Sequence, residues 1–494
     1  MKNRTLLFLV MACLAWSRLS AQSEGTLTLM NSLPQVVNNN PAFIPKYKIS
    51  IGLPGSSIMG YYANNAFSYN DMIRHVNDSV KADLSKLSGA LKPKNYITQV
   101  VQVDLFRLGL RINSKLYVTL NSTAKAYSRE MVPKDLVQVF VNGNTTSIGK
   151  TETLSPKAES FSLIETAVGG AYQINNKLTL GTRIKFINGL TNVTTESSTL
   201  NLTTDKSTYA LTASAGMDVR TSGIYNLTQS NYDLGSNIGK YFSNFGLAID
   251  IGATYKIFDR LTVGASLIDL GSIHWKNNTY GYTLDPAKAT YTFQGVDLGR
   301  VLNGDNSYLS SLGDSLQNKF KVKEGSIGSY NTPLPGKMYL TGMYEIKKNF
   351  TVGGVFYAEK FRDRLSASLT IGVNKHFGKV FSAAGSYSMV SNTYNNFGLG
   401  MSLNLSPIQL YIVGDNLLNA SVVKDVNSFV SQTKFFNVRL GLNFVIGFDK
   451  KTQKEKKEKN AQSQGVDPYQ PDEVDTVKRK KYDNYSPDKV KKKY

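Results

Sequence analysis

The stretch V-R-L-G-L-N-F-V-I-G-F, residues 438–448, alternates between two kinds of side chain. Every even position holds a large apolar residue, whereas the odd positions hold Arg439, Asn443, Val445 and two glycines. A period of two is typical of a β-strand and not of a helix. The length is that of a tilted strand that crosses a bilayer with its apolar face toward lipid. The alternative is a half-buried strand of a soluble β-sandwich.

The same alternation, with small or polar residues opposite the apolar face, recurs in four further segments: 178–186, 261–267, 365–374 and 397–405. A sandwich would carry bulky charged residues on its second face, whereas small or polar second faces are expected of a barrel with a wet or plugged lumen. The 40 glycines, 28 tyrosines and 23 phenylalanines also fit many strands with aromatic belts. We therefore predict an all-β chain that forms a transmembrane antiparallel β-barrel.

Short turns join several of these strands, and three share the repeat Tyr-x-Ile-x-x-x-Leu/Phe-Thr-x-Gly, at 172–181, 255–264 and 344–353. Bacterial outer-membrane barrels have short periplasmic turns, long outer loops and an even strand number. Applied backward from the C-terminus, this rule gives thirteen strands: 434–448, 408–417, 396–405, 379–391, 364–376, 350–361, 337–346, 260–275, 244–258, 177–192, 159–174, 115–128 and 97–113. One more strand within 49–64 completes an even set of about 14.

Two long segments, 193–243 and 276–336, interrupt the strand pattern and are predicted to be extracellular insertions. The second is expected to contain a hairpin of 279–283 with 288–294. Two other segments are predicted to be short amphipathic helices in outer loops or at the mouth: 71–90 and 133–141.

The chain is predicted to divide into four regions: a signal peptide at 1–21, an N-terminal plug or periplasmic segment at 22–46, the barrel at 47–448 and a disordered basic periplasmic tail at 449–494. The first region has a positive start, a short apolar stretch and a small-residue cleavage site. A lipoprotein signal cut before Cys13 is the alternative. After residue 449 the chain has fourteen Lys and Arg, eight Asp and Glu and few aliphatic residues, so it cannot bury a core. The expected location is the outer membrane of a Gram-negative bacterium.

The composition excludes several classes of function. The net charge is +21, but the basic residues are scattered along a chain predicted to be exported, so no nucleic acid is expected as a partner. No cysteine follows the signal, and the histidines, His75, His274 and His376, are far apart in the sequence. Neither a Gly-x-Ser-x-Gly elbow nor a phosphate-binding loop occurs. We therefore predict no catalytic residue, metal or cofactor, and we do not expect an enzyme.

Three cations are candidate lumen residues, because alternation directs them away from the apolar face: Arg183, Lys185 and Arg439. A charge inside a barrel must be solvated or paired. One hypothesis is that the three side chains attract an anionic head group. The other is that they pair with acids of the lumen such as Glu345, or with the N-terminal plug.

The runs at 34–58 and 67–73 and the block S-L-I-D-L-G-S-I-H-W at 266–275 resemble an uncharacterised family of outer-membrane β-barrels common in Bacteroidota. The triplet Asn40-Pro41-Ala42 resembles the motif that begins the long-chain fatty-acid transporter superfamily. That superfamily includes the barrel that shuttles cargo proteins in type IX secretion. The resemblance implies an outer-membrane barrel of about 14 strands, and it implies no catalytic residues.

The last strand resembles the assembly signal of outer-membrane barrels, in which a polar residue and a glycine precede spaced apolar or aromatic residues: Arg439, Gly441, Phe444 and Ile446. This resemblance implies the barrel assembly machinery and the outer-membrane lipids as partners.

Two functions are left open. The first is the passage of a hydrophobic or amphipathic small molecule across the outer membrane, with that molecule as the ligand. The alternative is a non-transporting scaffold or shuttle barrel for exported or surface proteins, with a periplasmic or surface protein as its partner. The long insertions favour the second, because loops carry recognition, whereas the superfamily resemblance favours the first.

Overall fold

The computed structural model describes residues 24–76, 79–228, 239, 243–295, 306–390, 396–418 and 434–448. Within these residues the strands are, in chain order, β1 (Tyr47–Gly52), β2 (Ser57–Asn64), β3 (Ile73–Val76), β4 (Ser79–Ala82), β5 (Lys94–Arg111), β6 (Leu116–Pro133), β7 (Thr151–Thr153), β8 (Lys157–Gln173), β9 (Leu178–Thr204), β10 (Leu211–Ser222), β11 (Asn244–Phe258), β12 (Leu261–Trp275), β13 (Thr279–Leu284), β14 (Thr290–Phe293), β15 (Lys323–Ser326), β16 (Tyr330–Pro333), β17 (Gly336–Lys347), β18 (Phe350–Phe361), β19 (Arg364–Phe377), β20 (Phe381–Met389), β21 (Phe397–Leu405), β22 (Ile408–Leu418) and β23 (Phe435–Phe448).

The helices are short. The α-helices of the described residues are Gly25–Leu29, Leu84–Ala90, Lys134–Asn142, Ile224–Leu227 and Asn306–Lys319. The 3-10 turns are Pro34–Asn38, Tyr69–Asp71 and Thr145–Ser147. In the part of the chain that the structure describes, no helix is long and apolar enough to cross a membrane.

Fourteen antiparallel strands form the wall of a closed barrel. Two of these wall strands are interrupted, and each consists of two consecutive segments, β1–β2 and β16–β17. The other twelve wall strands are β5, β6, β8, β9, β11, β12 and β18 to β23. The last strand pairs with the first, with Ser57 opposite Gly441 and Ala63 opposite Phe435. Because no sheet edge remains between them, the barrel is complete. The predicted fold class and strand number are confirmed.

The outer face of the barrel is apolar. In β23, Leu440 and Ile446 are each 48% exposed, whereas Arg439, Asn443 and Val445 are buried. Exposed apolar side chains occur on strands all round the barrel, for example Leu180, Ile184, Leu247, Ile249, Leu340, Ile371, Met401 and Leu410. Such a continuous apolar surface requires lipid as its solvent, so the sandwich alternative for the last strand is wrong.

The two ends of the barrel differ. At one end, the tight-turn end, β5–β6, β8–β9, β11–β12, β17–β18, β19–β20 and β21–β22 are joined by turns of two to four residues. The other end, the long-loop end, carries an extension of the wall. There β9 continues through 27 residues and pairs with β10 above the barrel, starting with Asn192 opposite Ser222.

The hairpin expected between 279–283 and 288–294 is wrong. Both β13 and β14 pair with β10 and run in the same direction along it. The chain between them stays against β10, because the amide N–H of Ala215 donates to the carbonyl oxygen of Ala289 at 2.9 Å. Residues 285–289 therefore form a bulge along one edge and not a hairpin turn.

The two predicted loop helices differ in outcome. Residues 134–142 form the helix Lys134–Asn142. In 71–90 only Leu84–Ala90 is helical, because β3 and β4 pair with each other before it. Asp83 caps this helix by accepting from the amide of Lys86 at 2.9 Å. The signal peptide at 1–21 and the tail at 449–494 lie outside the described residues.

Candidate functional site

Residues 24–46, here called the plug, lie inside the barrel at the tight-turn end. Polar groups of the plug bond to the wall: the backbone amide of Thr26 donates to Asp415 at 3.1 Å, and the side chain of Gln35 donates to Asn443 at 2.7 Å. Apolar side chains of the plug pack against inward-facing wall residues in one cluster: Leu27, Met30, Leu33, Val36, Ala384, Tyr411 and Val413. The plug therefore fills this half of the lumen.

Small inward-facing residues leave the room that the plug needs. A Cβ on Gly181 would lie 2.3 Å from the carbonyl carbon of Pro41, and one on Gly372 would lie 2.5 Å from the side chain of Leu29. The triplet Asn40-Pro41-Ala42 docks at the same level. Asn40 accepts from the amide of Ala42 at 2.9 Å and donates to the carbonyl of Ala253 at 3.2 Å. The small second faces of the strands are thus a plug-binding surface.

A buried ion network lies along one side of the inner wall at mid-height. Arg183 is 2% exposed and donates to Asp250 at 2.9 Å and to the side-chain oxygen of Asn38 at 2.9 Å. Lys185 is 1% exposed, lies 3.0 Å from Asp250 and also bonds to Asp269. The network therefore holds the plug through Asn38.

Two further lysines complete the network on its upper side. The ammonium of Lys337 lies 2.6 Å from Asp269, and that of Lys125 lies 2.7 Å from Glu165. Glu165 is also 3.6 Å from Lys185. Each lysine thus has a carboxylate partner before any ligand arrives.

A bulge in β12 places Asp269 in this network. Ile268 and Asp269 are consecutive, yet both are buried, because the register with β11 shifts opposite Asp250. Asp269 has a φ of 61°, which aspartate tolerates better than most residues. Its amide donates to Asp250 at 2.8 Å. The bulge therefore brings two carboxylates of neighbouring strands to the same cation, Lys185.

Arg439 connects three parts of the chain. It bonds to Glu24 of the plug, donates to Ser57 of β2 at 3.1 Å and donates to Gln102 of β5 at 2.9 Å. The other residues of the predicted assembly signal, Gly441, Phe444 and Ile446, lie along the same strand, β23. A Cβ on Gly441 would lie 2.5 Å from the carbonyl oxygen of Ser56. Ile446 faces outward at 48% exposure, and Phe444 is half-buried.

The tip of the β18–β19 hairpin, residues 359–364, reaches across the lumen at the long-loop end and is here called the roof. The ring of Phe361 packs edge-on against Tyr127 at 5.2 Å and Phe161 at 6.3 Å between centroids. Glu359 accepts from Arg129 at 2.7 Å. Further contacts join the roof to the opposite wall: Arg362 with Glu159 at 3.4 Å and Glu196 at 3.2 Å, and Arg364 over the ring of Tyr96 at 3.9 Å.

A cavity of about 130 Å³ lies between the plug and the roof. Its apolar and aromatic lining comprises Met59, Tyr61, Val100, Tyr127, Phe161, Leu163, Ile268, Leu334, Tyr339 and Tyr357. Its charged lining comprises Glu24, Lys125, Glu165, Arg183, Lys185, Asp269, Lys337 and Glu359. The cavity is therefore amphipathic.

Strand register orders one wall of this cavity in two rows. The upper row, nearer the long-loop end, consists of Asn437, Tyr61, Val100, Tyr127 and Phe161, which are opposite one another on successive strands. The row below it consists of Arg439, Met59, Gln102, Lys125 and Leu163. A molecule in the cavity therefore meets a mainly aromatic level above a more polar level.

The sequence-predicted lumen residues do not form one site. Arg183 and Lys185 share the network in the middle of the lumen, and Arg439 lies at the seam of first and last strands. Glu345 is half-buried near the tight turn after β17, and its carboxylate joins none of the ion pairs found among the described residues. The partners of the three cations are instead Asp250, Asp269 and atoms of the plug. Among the described residues no three His, Cys, Asp or Glu side chains are grouped to hold a metal.

Asp250 was detectable from the sequence, because β11 alternates regularly and Asp250 lies between the outward Ile249 and Ile251. No such signal was available for Asp269, since the bulge reverses the alternation after Ile268.

Comparisons with known proteins give one family and several distant structures. No curated protein matches the chain significantly. The TodX deltaS2S3 mutant monoaromatic hydrocarbon channel is 10% identical, with 86% of this chain and 99% of that chain covered and a TM-score of 0.43. A Pseudomonas aeruginosa FadL homologue is 10% identical over 86% of this chain and 96% of that chain, with a TM-score of 0.39. The P. putida toluene transporter TodX is 9% identical over 87% of this chain and 99% of that chain, with a TM-score of 0.39. The model of the family of unknown function DUF5723 matches residues 41–415, and the chain belongs to that family.

Proposed function

We propose that the barrel passes a small hydrophobic or amphipathic molecule across the outer membrane of a Gram-negative bacterium. The cavity between plug and roof supports this proposal, because it combines apolar walls with a few polar groups, as small-molecule sites do. Its volume of about 130 Å³ suits a body of roughly one aromatic ring. The ion pairs make the anion hypothesis for Arg183, Lys185 and Arg439 the weaker of the two, since each cation already has a carboxylate partner.

The orientation is part of the proposal. Short turns face the periplasm in bacterial barrels, so the plug would close the periplasmic side and the roof the outer side. A molecule would then enter past the roof, rest in the cavity and leave when the plug shifts. The contacts of the plug at Asp415, Asn443 and Arg183 are polar, and water can replace such contacts at modest cost.

We expect Val100→Trp to abolish most of the transport that the barrel supports. Val100 lines the cavity in the upper row, and an indole there would occupy most of the free volume. Uptake of ¹⁴C-labelled indole by porin-deficient cells that produce the barrel measures the effect. Val101→Trp is the matched control, because Val101 is the next residue and is 50% exposed on the lipid face. Equal uptake through both variants would contradict the proposed route.

A second candidate function, a scaffold or shuttle for exported or surface proteins, is favoured by the wall extension above the barrel. There β10 holds β13 and β14, and the rings of Tyr225 and Tyr280 stack at 4.0 Å between centroids. Aromatic side chains on structured loops are common in protein-recognition surfaces.

Replacement of residues 277–328 by a short Gly-Ser linker separates the two functions. If transport is the function, this variant is expected to retain indole uptake while it assembles normally. If the scaffold is the function, the variant is expected to lose the proteins that co-purify with the full chain. Pull-down and uptake measured on the same membranes give both readouts.

A further inference from the structure

Two residues of the cavity lining each carry a buried polar atom that has no hydrogen-bond partner among the described residues. The two atoms are the hydroxyl oxygen of Tyr127 and the side-chain carbonyl oxygen of Asn437. Tyr127 is 6% exposed and Asn437 is 4% exposed, and both line the cavity. A buried polar group without a partner is destabilising, and a ligand that supplies the missing bond removes that cost.

The charges of the cavity lining are already balanced. Four acids and four bases line it: Glu24, Glu165, Asp269, Glu359, Lys125, Arg183, Lys185 and Lys337. Lys125 is paired with Glu165 and Lys337 with Asp269, while the acid Glu359 is paired with Arg129. An ionic ligand would lose its hydration without meeting an excess of opposite charge, which is unfavourable.

Resting on the proposed function, we propose that the cavity selects a neutral molecule that joins a ring-sized apolar body to one O–H or N–H donor. The side-chain oxygen of Asn437 can only accept, so it requires a donor on the ligand, whereas the Tyr127 hydroxyl can donate or accept. The apolar body lies against Val100, Phe161 and Leu163. Phenol and indole have this chemistry, toluene lacks the donor, and benzoate carries a charge.

Apart from Leu163, the polar and apolar contacts come from the upper row of the wall. Val100 lies opposite Tyr127 and Tyr61, Phe161 lies opposite Tyr127, and Asn437 lies opposite Tyr61. The ring of Tyr127 is fixed by stacking on Phe161 at 5.0 Å between centroids with an interplanar angle of 8°. The hydroxyl therefore holds a defined position without a ligand, and binding does not have to order it.

The test is equilibrium dialysis of the full-length barrel in lipid nanodiscs against ¹⁴C-labelled phenol, toluene and benzoate. We expect phenol to bind about five-fold more tightly than toluene, the effect of one neutral hydrogen bond. Benzoate is expected to bind at least about ten-fold more weakly than phenol, because its charge is not compensated. Nanodiscs without protein correct for partition into lipid.

Two variants locate the bond. Tyr127→Phe and Asn437→Leu each remove one of the two polar atoms and keep most of the side-chain volume. We expect at least one of them to lower the affinity for phenol about five-fold and to leave the affinity for toluene unchanged. Tyr172→Phe is the control, because Tyr172 is 46% exposed on the outer face of β8.

The outcomes separate this inference from the proposed function. Equal affinities for phenol and toluene, strong binding of benzoate, or no loss in either variant would each overturn the selection of a neutral donor and leave transport standing. A loss of affinity that is equal for phenol and toluene in both variants would also overturn it, since that result indicates a packing change. If none of the three probes binds and Val100→Trp has no effect on uptake, the proposed function itself fails.

Discussion

Replacement of Asp250 by alanine is expected to lower the free energy of unfolding of the barrel by about 3–5 kcal/mol, the usual cost of leaving a buried charge without its partner. Asp250 is fully buried and holds both Arg183 and Lys185, and it also accepts from the amide of Asp269. Alanine leaves two cations with one fewer carboxylate and a bulge amide without an acceptor. The loss should spread to the plug, because Arg183 also binds Asn38.

The measurement is the urea midpoint of unfolding, followed by the shift between folded and unfolded bands on unheated gels. Asp250→Asn keeps the shape and part of the hydrogen bonding, so its midpoint should lie between those of wild type and alanine variant. Asp259→Ala in the exposed turn between β11 and β12 is the control and should change stability by less than about 0.5 kcal/mol. A midpoint of Asp250→Ala equal to that of Asp259→Ala would show that the network contributes little.

A chain that lacks residues 24–46 and carries glycine at Phe361 and Arg362 is expected to behave as an open, ion-conducting pore. The plug fills the tight-turn end of the lumen, and the roof closes the other end through Phe361 and the Arg362 ion pairs. Removal of one barrier leaves the other, so each single change should give a smaller current than the combination. The full chain is expected to be closed.

Planar bilayer recordings of the refolded proteins measure this effect as steps of current at constant voltage. A chain that lacks residues 450–494 but keeps plug and roof controls for the effect of truncation alone, and it should stay closed. Currents no larger in the combined variant than in the full chain would refute the two-barrier description.

The fold was largely predictable, because alternation is a local signal and barrel closure demands an even strand number. The same signal directs Arg183 inward, since β9 is regular at that position. It does not identify the acids that pair with the cations, because cross-strand register depends on the whole barrel. At Asp269 alternation fails altogether, since the bulge turns two consecutive residues to the same side.

The roof and the wall extension could not have been found in this way. Phe361 meets Tyr127 only because the hairpin tip reaches across the lumen, a contact that no local pattern encodes. The wrong prediction of a hairpin within 279–294 has a similar cause. A segment rich in turn residues looks like a hairpin, but a longer neighbouring strand, β10, paired with both halves.

The position of Arg439 couples the plug to the closing strand of the barrel. Glu24 precedes Arg439 by 415 residues in the chain, yet the two form one buried ion pair, with Ser57 and Gln102 beside it. While the N-terminal segment is missing, the closing strand would bring an unpaired cation into the lumen, a costly state. Completion of the wall and insertion of the plug thus favour each other energetically. A chain that has lost the plug is therefore disadvantaged at the last step of assembly, before it can become a leak in the membrane.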